Sequence, residues 1–214
     1  MSGEIFDRLA KRYDDWFESD EGKIIFQIEL DCLRKLIKVE HENWCEIGVG
    51  TGRFAQALGI KFGIDPSMNV LEFARQRGIN VIQASSENLP FPNDSFDGLL
   101  MVVTLCFLDN PVASFYEAYR VLRKGGVLAL GFVPADSEWG QKYIREAKEG
   151  HPFYSSAKFY TIDEARKIAE HAGLMCIGGR SCLFASPDNT INYESSIEGL
   201  ISGAGFVAIK FSKK

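Results

Sequence analysis

The sequence predicts an α/β fold: a seven-stranded, mostly parallel sheet with helices on both faces, an antiparallel pair of strands at the C-terminal end and a small helical cap. From Trp44 onward, short apolar runs alternate with segments of helical periodicity. The run from Leu99 to Val103 is apolar at every position, which is typical of a parallel strand covered on both faces. At 214 residues the chain is long enough for one domain with a well-buried core.

The N-terminal two thirds are divided into helices and strands by hydrophobic spacing. Apolar residues recur at helical intervals over residues 5–17 and again over 24–36, after Ser19, which predicts two amphipathic helices before the first strand. Proline suits a first helical turn, and a serine can cap exposed N–H groups there. Helices are therefore expected after Gly50, at Ser67 and near Pro111, between strands at about 44–47, 60–65, 79–83, 97–103 and 127–133.

The last third begins with a segment that has no clear periodicity, residues 134–160, which predicts an inserted cap or loop. Thr161 and Glu164 then form a capping box, and Gly173 is expected to end that helix. Two apolar stretches, 174–183 and 206–211, predict the antiparallel pair. The chain is thus expected to be a single domain with a helical cap at 1–40, a ligand-binding core at 41–133, the cap or acceptor loop at 134–160, and a C-terminal helix and strand pair at 161–214.

Composition narrows the class of protein. The formal net charge is -5, whereas nucleic-acid binders normally carry an excess of Lys and Arg, so no nucleic-acid partner is expected. The five cysteines include no C-x-x-C pair, which indicates reduced thiols. No apolar run is long enough to span a bilayer. We therefore expect a cytoplasmic monomer or homodimer.

A glycine motif carries the strongest local signal. Glu46 is followed by G-x-G-x-G over residues 48–52, at the end of a predicted strand. Glycine lets the chain turn sharply and lets a ligand approach without a Cβ in the way. Asp65 ends the next predicted strand, where a carboxylate can accept hydrogen bonds from ribose hydroxyls. Dinucleotide folds prefer G-x-G-x-x-G, and here Arg53 takes the place of the third glycine.

With these motifs the sequence resembles the class I S-adenosylmethionine-dependent methyltransferases, a Rossmann-like class. It is similar to their type 11 group, which includes enzymes of ubiquinone and menaquinone biosynthesis. The likeness spans roughly residues 40–135, including Ser95-Phe96-Asp97 and Leu122-Arg123-Lys124-Gly125-Gly126. The resemblance implies S-adenosylmethionine as cofactor.

The resemblance also implies roles for particular residues. At its methionine end the cofactor would meet Glu46, Gly48 and Gly50, and Asp65 would hold its ribose. Where the family has Asp-Ala near the adenine, this chain has a serine pair, and a serine hydroxyl can still accept one hydrogen bond. Thr104 either faces the sulfonium or only ends an apolar strand. The remaining residues implied near the adenine are Pro66, Ser67, Ser85 and Ser86.

The sequence indicates no catalytic base and no metal site. A sulfonium methyl is already electrophilic, so such an enzyme mainly aligns the acceptor and excludes water. His151 is the one histidine in the expected cap, and a loop histidine is usually only solvated. Aromatic residues in both cap segments favour a small-molecule acceptor, with the N, O or C nucleophile open. Two alternatives stay open: a catalytically silent S-adenosylmethionine-binding protein and a nicotinamide-dependent oxidoreductase.

Overall fold

The computed structural model describes residues 2–39 and 43–214, and His41 therefore lies outside the described residues. Capping serines and threonines begin several helices: Ser19 and Ser67 accept from backbone N–H groups three residues on, and Thr161 forms the expected capping box with Glu164. The helices are α1 (Ser2–Trp16), α2 (Asp20–Leu36), α3 (Arg53–Leu58), α4 (Met68–Gln76), α5 (Pro111–Val121), α6 (Glu138–Lys148) and α7 (Ile162–His171).

The strands are β1 (Trp44–Ile47), β2 (Phe62–Asp65), β3 (Asn80–Gln83), β4 (Phe96–Val102), β5 (Leu122–Phe132), β6 (Leu174–Cys182), β7 (Ile197–Glu198) and β8 (Phe206–Lys213). They form one sheet in the order β3-β2-β1-β4-β5-β8-β6-β7. The first five strands are parallel, and β8 pairs antiparallel with β5 and β6. The predicted fold class, including the C-terminal antiparallel pair, is confirmed.

Three details differ from the sequence expectation. The described sheet has eight strands because two residues of the polar C-terminal connection, Ile197 and Glu198, pair with β6. The strand β5 begins at Leu122 rather than Val127, since Leu122 pairs with Phe96 before a register shift. The segment 134–160 contains a helix, α6, and a short 3-10 helix at Tyr154–Ser156.

Side chains of the central strands alternate between two apolar layers. In β4, Leu99 and Met101 contact one layer and Leu100 the other. One layer packs beneath α5 and α7, and the opposite layer packs beneath α2, α3 and α4. This two-faced burial is what a parallel sheet needs, because its strands have no solvent-facing side. No helix in the described part of the chain combines the length and the hydrophobicity that crossing a bilayer requires.

The strand order reverses between β1 and β4, because β2 follows β1 on one side and β4 lies on the other. In open parallel sheets, ligands bind at such a switch point, beyond the carboxyl ends of the strands. The residues that follow β1, β2 and β4 are Gly48, Pro66 and Val103, so the predicted glycine loop lies at this edge.

Candidate functional site

A cavity of about 910 Å³ lies at the carboxyl edge of the sheet. This volume is near the upper end of the roughly 300–1,000 Å³ typical of small-molecule sites. The strand ends contribute Gly48, Asp65 and Thr104 to its wall, and the opposite wall comes from α1, α2, α6 and the segment after α6. The two cap segments expected from the sequence therefore both border the cavity.

The glycine loop is held in place by β2 and by Thr104. The N–H groups of Gly48 and Val49 donate to the carbonyl of Ile64 over 2.8 and 2.9 Å. Gly48 has a φ of +72°, and a Cβ built there would overlap the side chain of Thr104. Gly50 has a φ of +50° and also borders the cavity. Both glycines are thus required by backbone conformation, and Gly48 by a close approach as well.

Asp65 ends β2 and is 8% exposed. Its carboxylate accepts the N–H of Ser67 over 2.9 Å and that of Gly50 over 3.0 Å. Burial raises the pKa of Asp65 to about 6, against the opposing effect of these two hydrogen bonds. The group is therefore mainly ionised at pH 7. It lies on the cavity wall with lone pairs left for a ligand hydroxyl.

Glu46 and Ser67 lie behind the wall rather than on it. Glu46 is 2% exposed, and its Oε2 has no hydrogen-bond partner among the described residues. Burial raises the pKa of Glu46 well above its ordinary value, although the N–H of Ala55 donates to the carboxyl. The Ser67 hydroxyl donates to Asp7 over 2.6 Å. The structure thus brings Gly48, Gly50, Asp65, Pro66, Ser85, Ser86 and Thr104 together on the cavity wall, with Glu46 and Ser67 beneath it.

The serine pair is tied to a neighbour that the sequence analysis did not select. Ser85 hydrogen-bonds the carboxylate of Glu87, and Ser86 shares a 2.8 Å hydrogen bond with Ser114. Glu87 is half-buried on the cavity wall and also accepts the N–H of Asn110 over 3.2 Å. A carboxylate can accept a hydrogen bond from an exocyclic amino group, and Glu87 lies two positions after Ser85, where the resemblance implies an aspartate.

Thr104 follows a strained residue at the end of β4. Val103 has a φ of +51°, which is a costly conformation for a β-branched residue, and its N–H donates to Gly131 over 2.8 Å. The Thr104 hydroxyl donates to the carbonyl of Val102 over 3.0 Å. The Thr104 side chain lies across the sheet edge against Gly48.

Helix α1 covers the glycine loop and is fixed by ion pairs. Tyr13 is the nearest side chain to a Cβ built on Gly50, with its Cε1 3.4 Å away. Asp14 accepts from Arg53 over 2.8 Å and from Arg77 over 2.9 Å. Burial of the Asp14 carboxyl opposes ionisation, but these hydrogen bonds lower its pKa to about 2. Arg53, in the place of the third dinucleotide glycine, thus attaches α1 to α3.

The two cap segments contact each other through aromatic rings. Phe6 of α1 lies 5.0 Å from Phe107 and 5.4 Å from Phe153, measured between ring centroids. Tyr13 lies 6.0 Å from Phe153. Such edge and tilted contacts each add about 0.5–1.5 kcal/mol beyond area burial. A continuous aromatic cover therefore joins α1 to the 134–160 segment.

The cavity wall includes one potential base, His151, and one potential nucleophile, Cys106. The Nδ1 of His151 accepts the N–H of Tyr154 over 3.4 Å, and the two rings stack at 4.3 Å. Burial lowers the pKa of His151 and raises that of Cys106 to about 12. The Cys106 thiol therefore stays protonated at neutral pH.

The chain is similar to known proteins in both sequence and fold. The type 11 methyltransferase-domain family matches residues 45–130. A crystal structure from Thermotoga maritima, described as an S-adenosylmethionine-dependent methyltransferase and possible histamine N-methyltransferase, is 36% identical, with a TM-score of 0.93 and complete coverage of both chains. The chain belongs to the S-adenosylmethionine-dependent methyltransferases. Its cofactor is S-adenosylmethionine, as the resemblance implied, which decides against a nicotinamide-dependent oxidoreductase.

Other relatives of this methyltransferase cover most of its length. An uncharacterised protein of Mycobacterium tuberculosis is 43% identical over 94% of the chain and 71% of its own length. Another, from Methanocaldococcus jannaschii, is 38% identical over 98% of both proteins. The shared sequence thus includes α1 and the segment 134–160, and is not confined to the cofactor-binding core.

The wall suits that cofactor on structural grounds. A Cβ-free loop at Gly48 and Gly50 leaves space beside the strand ends, and an ionised Asp65 adjoins it. The carboxyl oxygen Oε2 of Glu46, which has no partner among the described residues, lies beneath the same loop. A buried polar atom without a partner is unusual in a native protein, and an amino group of a ligand, or water held by one, would satisfy it.

Proposed function

We propose that this methyltransferase transfers a methyl group from S-adenosylmethionine to a small organic molecule bound in the same cavity. The observation that carries the proposal is the continuity of the cavity from the glycine loop to an aromatic wall formed by the caps. We define the aromatic wall as Trp139, Tyr143, Tyr154 and Phe159. A largely apolar, covered site beside the cofactor suits a small acceptor and leaves little room for a polymer.

The cofactor would lie along the strand ends. In this proposal Glu46, Gly48 and Gly50 adjoin the methionine end, and Asp65 accepts from the ribose hydroxyls. Glu87, whose carboxylate is hydrogen-bonded to Ser85 and Ser86, accepts a hydrogen bond from the adenine amino group. Thr104 faces the sulfonium. The adenine ring would then lie near Pro66, Ser67, Ser85 and Ser86.

Alignment and exclusion of water are the work of this chain's residues. When bound, S-adenosylmethionine would supply an electrophilic methyl group, and the cavity would hold the acceptor's lone pair in line with it. Tyr13 and Phe153 close the cavity above that point. With His151 and Cys106 occupied or protonated, orientation and desolvation would supply the rate enhancement without a dedicated base.

In this proposal the chain is a single domain whose segments have different roles. The helices at 1–40 and the segment 134–160 cover the cavity, and the core at 41–133 binds the cofactor. The C-terminal helix and strands at 161–214 complete the sheet. The contacts from Phe6 to Phe107 and Phe153 support this division, because they join the three parts around one cavity.

Replacing Asp65 with alanine is expected to weaken binding of S-adenosylhomocysteine by about 1–3 kcal/mol, through loss of charge-assisted hydrogen bonds to ribose. Calorimetry measures the affinity. Because Asp65 also accepts from Gly50 and Ser67, Asp65→Asn serves as a second variant that keeps an acceptor for one N–H. The matched control is Asp188→Ala, at an exposed carboxylate away from the cavity. Unchanged affinity in a folded Asp65→Ala variant would remove this residue from the site.

The proposed function is tested by formation of S-adenosylhomocysteine over a panel of small amines, phenols, carboxylates and quinone precursors. Histamine belongs in the panel because the Thermotoga maritima relative is described as a possible histamine N-methyltransferase. Turnover of any class that saturates with acceptor concentration supports the proposal. A protein that binds the cofactor yet methylates no member would favour the silent cofactor-binding alternative.

A further inference from the structure

A buried carboxyl without a partner lies in the cavity away from the strand ends. Glu29, on the inner face of α2, is 6% exposed and borders the cavity. No hydrogen bond or ion pair reaches its carboxyl from residues 2–39 or 43–214. Its neighbours on the same face, Ile25 and Cys32, are buried in the apolar core. Burying an unpaired carboxyl is costly, so this residue has no structural advantage over an apolar one in the empty cavity.

Burial alone raises the pKa of Glu29 to about 8. A positive charge brought beside the Glu29 carboxyl would favour its ionised form. The attraction between the two charges would offset the free-energy cost of burying the carboxylate. Arg12 and Lys142, the lysine and arginine side chains on the cavity wall, make no ion pair with it in the described structure. The group thus lacks a counter-ion that a ligand could supply.

The aromatic wall lies within the electrostatic reach of Glu29. Its charge contributes to raising the pKa values of Tyr13, Tyr143 and Tyr154, although burial is the main cause in each. Tyr143 lies 4.5 Å from Tyr154 and 6.0 Å from Trp139, measured between ring centroids. Aromatic faces attract cations by about 0.5–2 kcal/mol each, more when the cation is desolvated. A carboxylate beside several aromatic rings is the chemistry that holds an organic ammonium ion.

The ionisable groups that border the cavity also favour a cationic ligand. Nine carboxyl groups border the cavity, against one arginine and one lysine. The lysine, Lys142, lies 5.4 Å from the ring centroid of Trp139, so a cation already lies on one face of that ring. An anionic acceptor would meet repulsion in this cavity, whereas a cation would be attracted on approach.

We propose, on the basis of the proposed function, that the acceptor carries an organic ammonium group, and that Glu29 and the aromatic wall bind this group. The ammonium group is a recognition group, and a neutral N or O atom elsewhere in the acceptor keeps the lone pair that takes the methyl. Glu29 is a specificity-determining residue in this account, and Tyr143 and Tyr154 flank the bound cation. Neutral molecules of the same shape bind more weakly, and carboxylates are rejected. Helix α2 thus contributes to recognition of the acceptor as well as to the core.

The experiment compares phenethylamine, 2-phenylethanol and phenylacetate, which share a phenyl ring on a two-carbon unit and differ in charge. Binding to the full-length protein saturated with S-adenosylhomocysteine is measured by calorimetry. The wild type is expected to bind the amine at least tenfold more tightly than the alcohol, by analogy with other desolvated charge pairs. Glu29→Gln is expected to lower the amine affinity at least tenfold and to change the alcohol affinity less than twofold. Glu72→Gln, an exposed carboxylate outside the cavity, is the matched control.

A second readout separates binding from a merely structural role. Ionisation of Glu29 on binding an ammonium ion releases protons at pH 7, which calorimetry in two buffers of different ionisation enthalpy detects. Tyr13, Tyr143 and Tyr154 stay neutral at that pH because their pKa values are raised. The release should disappear in Glu29→Gln, whose melting temperature should not fall, because no partner is lost.

Three results would overturn the proposal. They are no amine binding at millimolar concentration, equal amine affinity in the wild type and Glu29→Gln, or tighter binding of phenylacetate than of phenethylamine. Its failure is distinguishable from that of the proposed function, because turnover of phenols or carboxylates with no amine binding would leave methyl transfer intact and exclude Glu29 as an ammonium site.

Discussion

Replacing Gly50 with valine is expected to lower the affinity for S-adenosylmethionine by roughly 100-fold or more, about 2.7 kcal/mol. Gly50 has a φ of +50°, where a β-branched residue is strained, and it borders the cavity. A Cβ there would lie 3.4 Å from Tyr13, so the two valine methyl groups would enter the space between the loop and α1. The substitution also displaces the N–H that Asp65 accepts.

The matched control is Gly59→Val. Gly59 caps α3 with a φ of +77°, but nothing lies within 4 Å of a Cβ built there and it does not border the cavity. It should share the backbone strain, about 1–2 kcal/mol of stability, without loss of affinity. Calorimetric titration of both variants separates strain from obstruction. Wild-type affinity in Gly50→Val would show that the cofactor does not lie against this loop.

Deleting residues 1–18 is expected to abolish methyl transfer and to speed release of the cofactor, while α2 and the sheet stay folded. The deletion removes Tyr13 from above Gly50 and Phe6 from its contacts with Phe107 and Phe153. A cavity opened to water would lose the desolvation on which transfer depends. Formation of S-adenosylhomocysteine and the cofactor dissociation rate are measured, with circular dichroism reporting the fold.

Two point variants accompany the deletion. Asp14→Ala removes the ion pairs to Arg53 and Arg77 that fix α1, and should weaken transfer in the same direction as the deletion. Lys11→Ala, on the exposed side of α1, loses only an ion pair to the exposed Asp15 and should change little. A truncated protein that stays folded, retains the cofactor normally and methylates at the wild-type rate would contradict the assignment of α1 as a cap.

The sheet could be predicted because its signals are local. A strand buried on both faces must be apolar throughout, and helix starts at Ser67 and Thr161 are determined by their own capping hydrogen bonds. Helix α6 was missed although Ser137 likewise caps its start by accepting the N–H of Gly140. Its buried part is mainly Trp139, whose Nε1 donates 2.9 Å to the carbonyl of Ala185, a contact 46 positions away that no local pattern reveals.

Residues of the cavity wall could be predicted where strand geometry fixes their place, and not elsewhere. Residues that end parallel strands, such as Gly48 and Asp65, must reach the same edge of the sheet. Spacing does not say whether a side chain there points into the cavity or beneath it, as Glu46 does. Glu29 was missed because one glutamate on an amphipathic helix resembles a surface residue. Only the tertiary structure, in which α1, α2 and α6 border one cavity, reveals that Glu29 is buried there.

A calorimetric titration of the wild-type protein with S-adenosylmethionine and S-adenosylhomocysteine tests the central claim most directly. Each ligand is expected to bind at a single saturable site and to raise the melting temperature, because each binds the folded chain and not the unfolded one. The affinity should fall by roughly 100-fold or more in Gly50→Val and stay at the wild-type level in Gly59→Val. Failure of both compounds to bind at millimolar concentration would contradict the account.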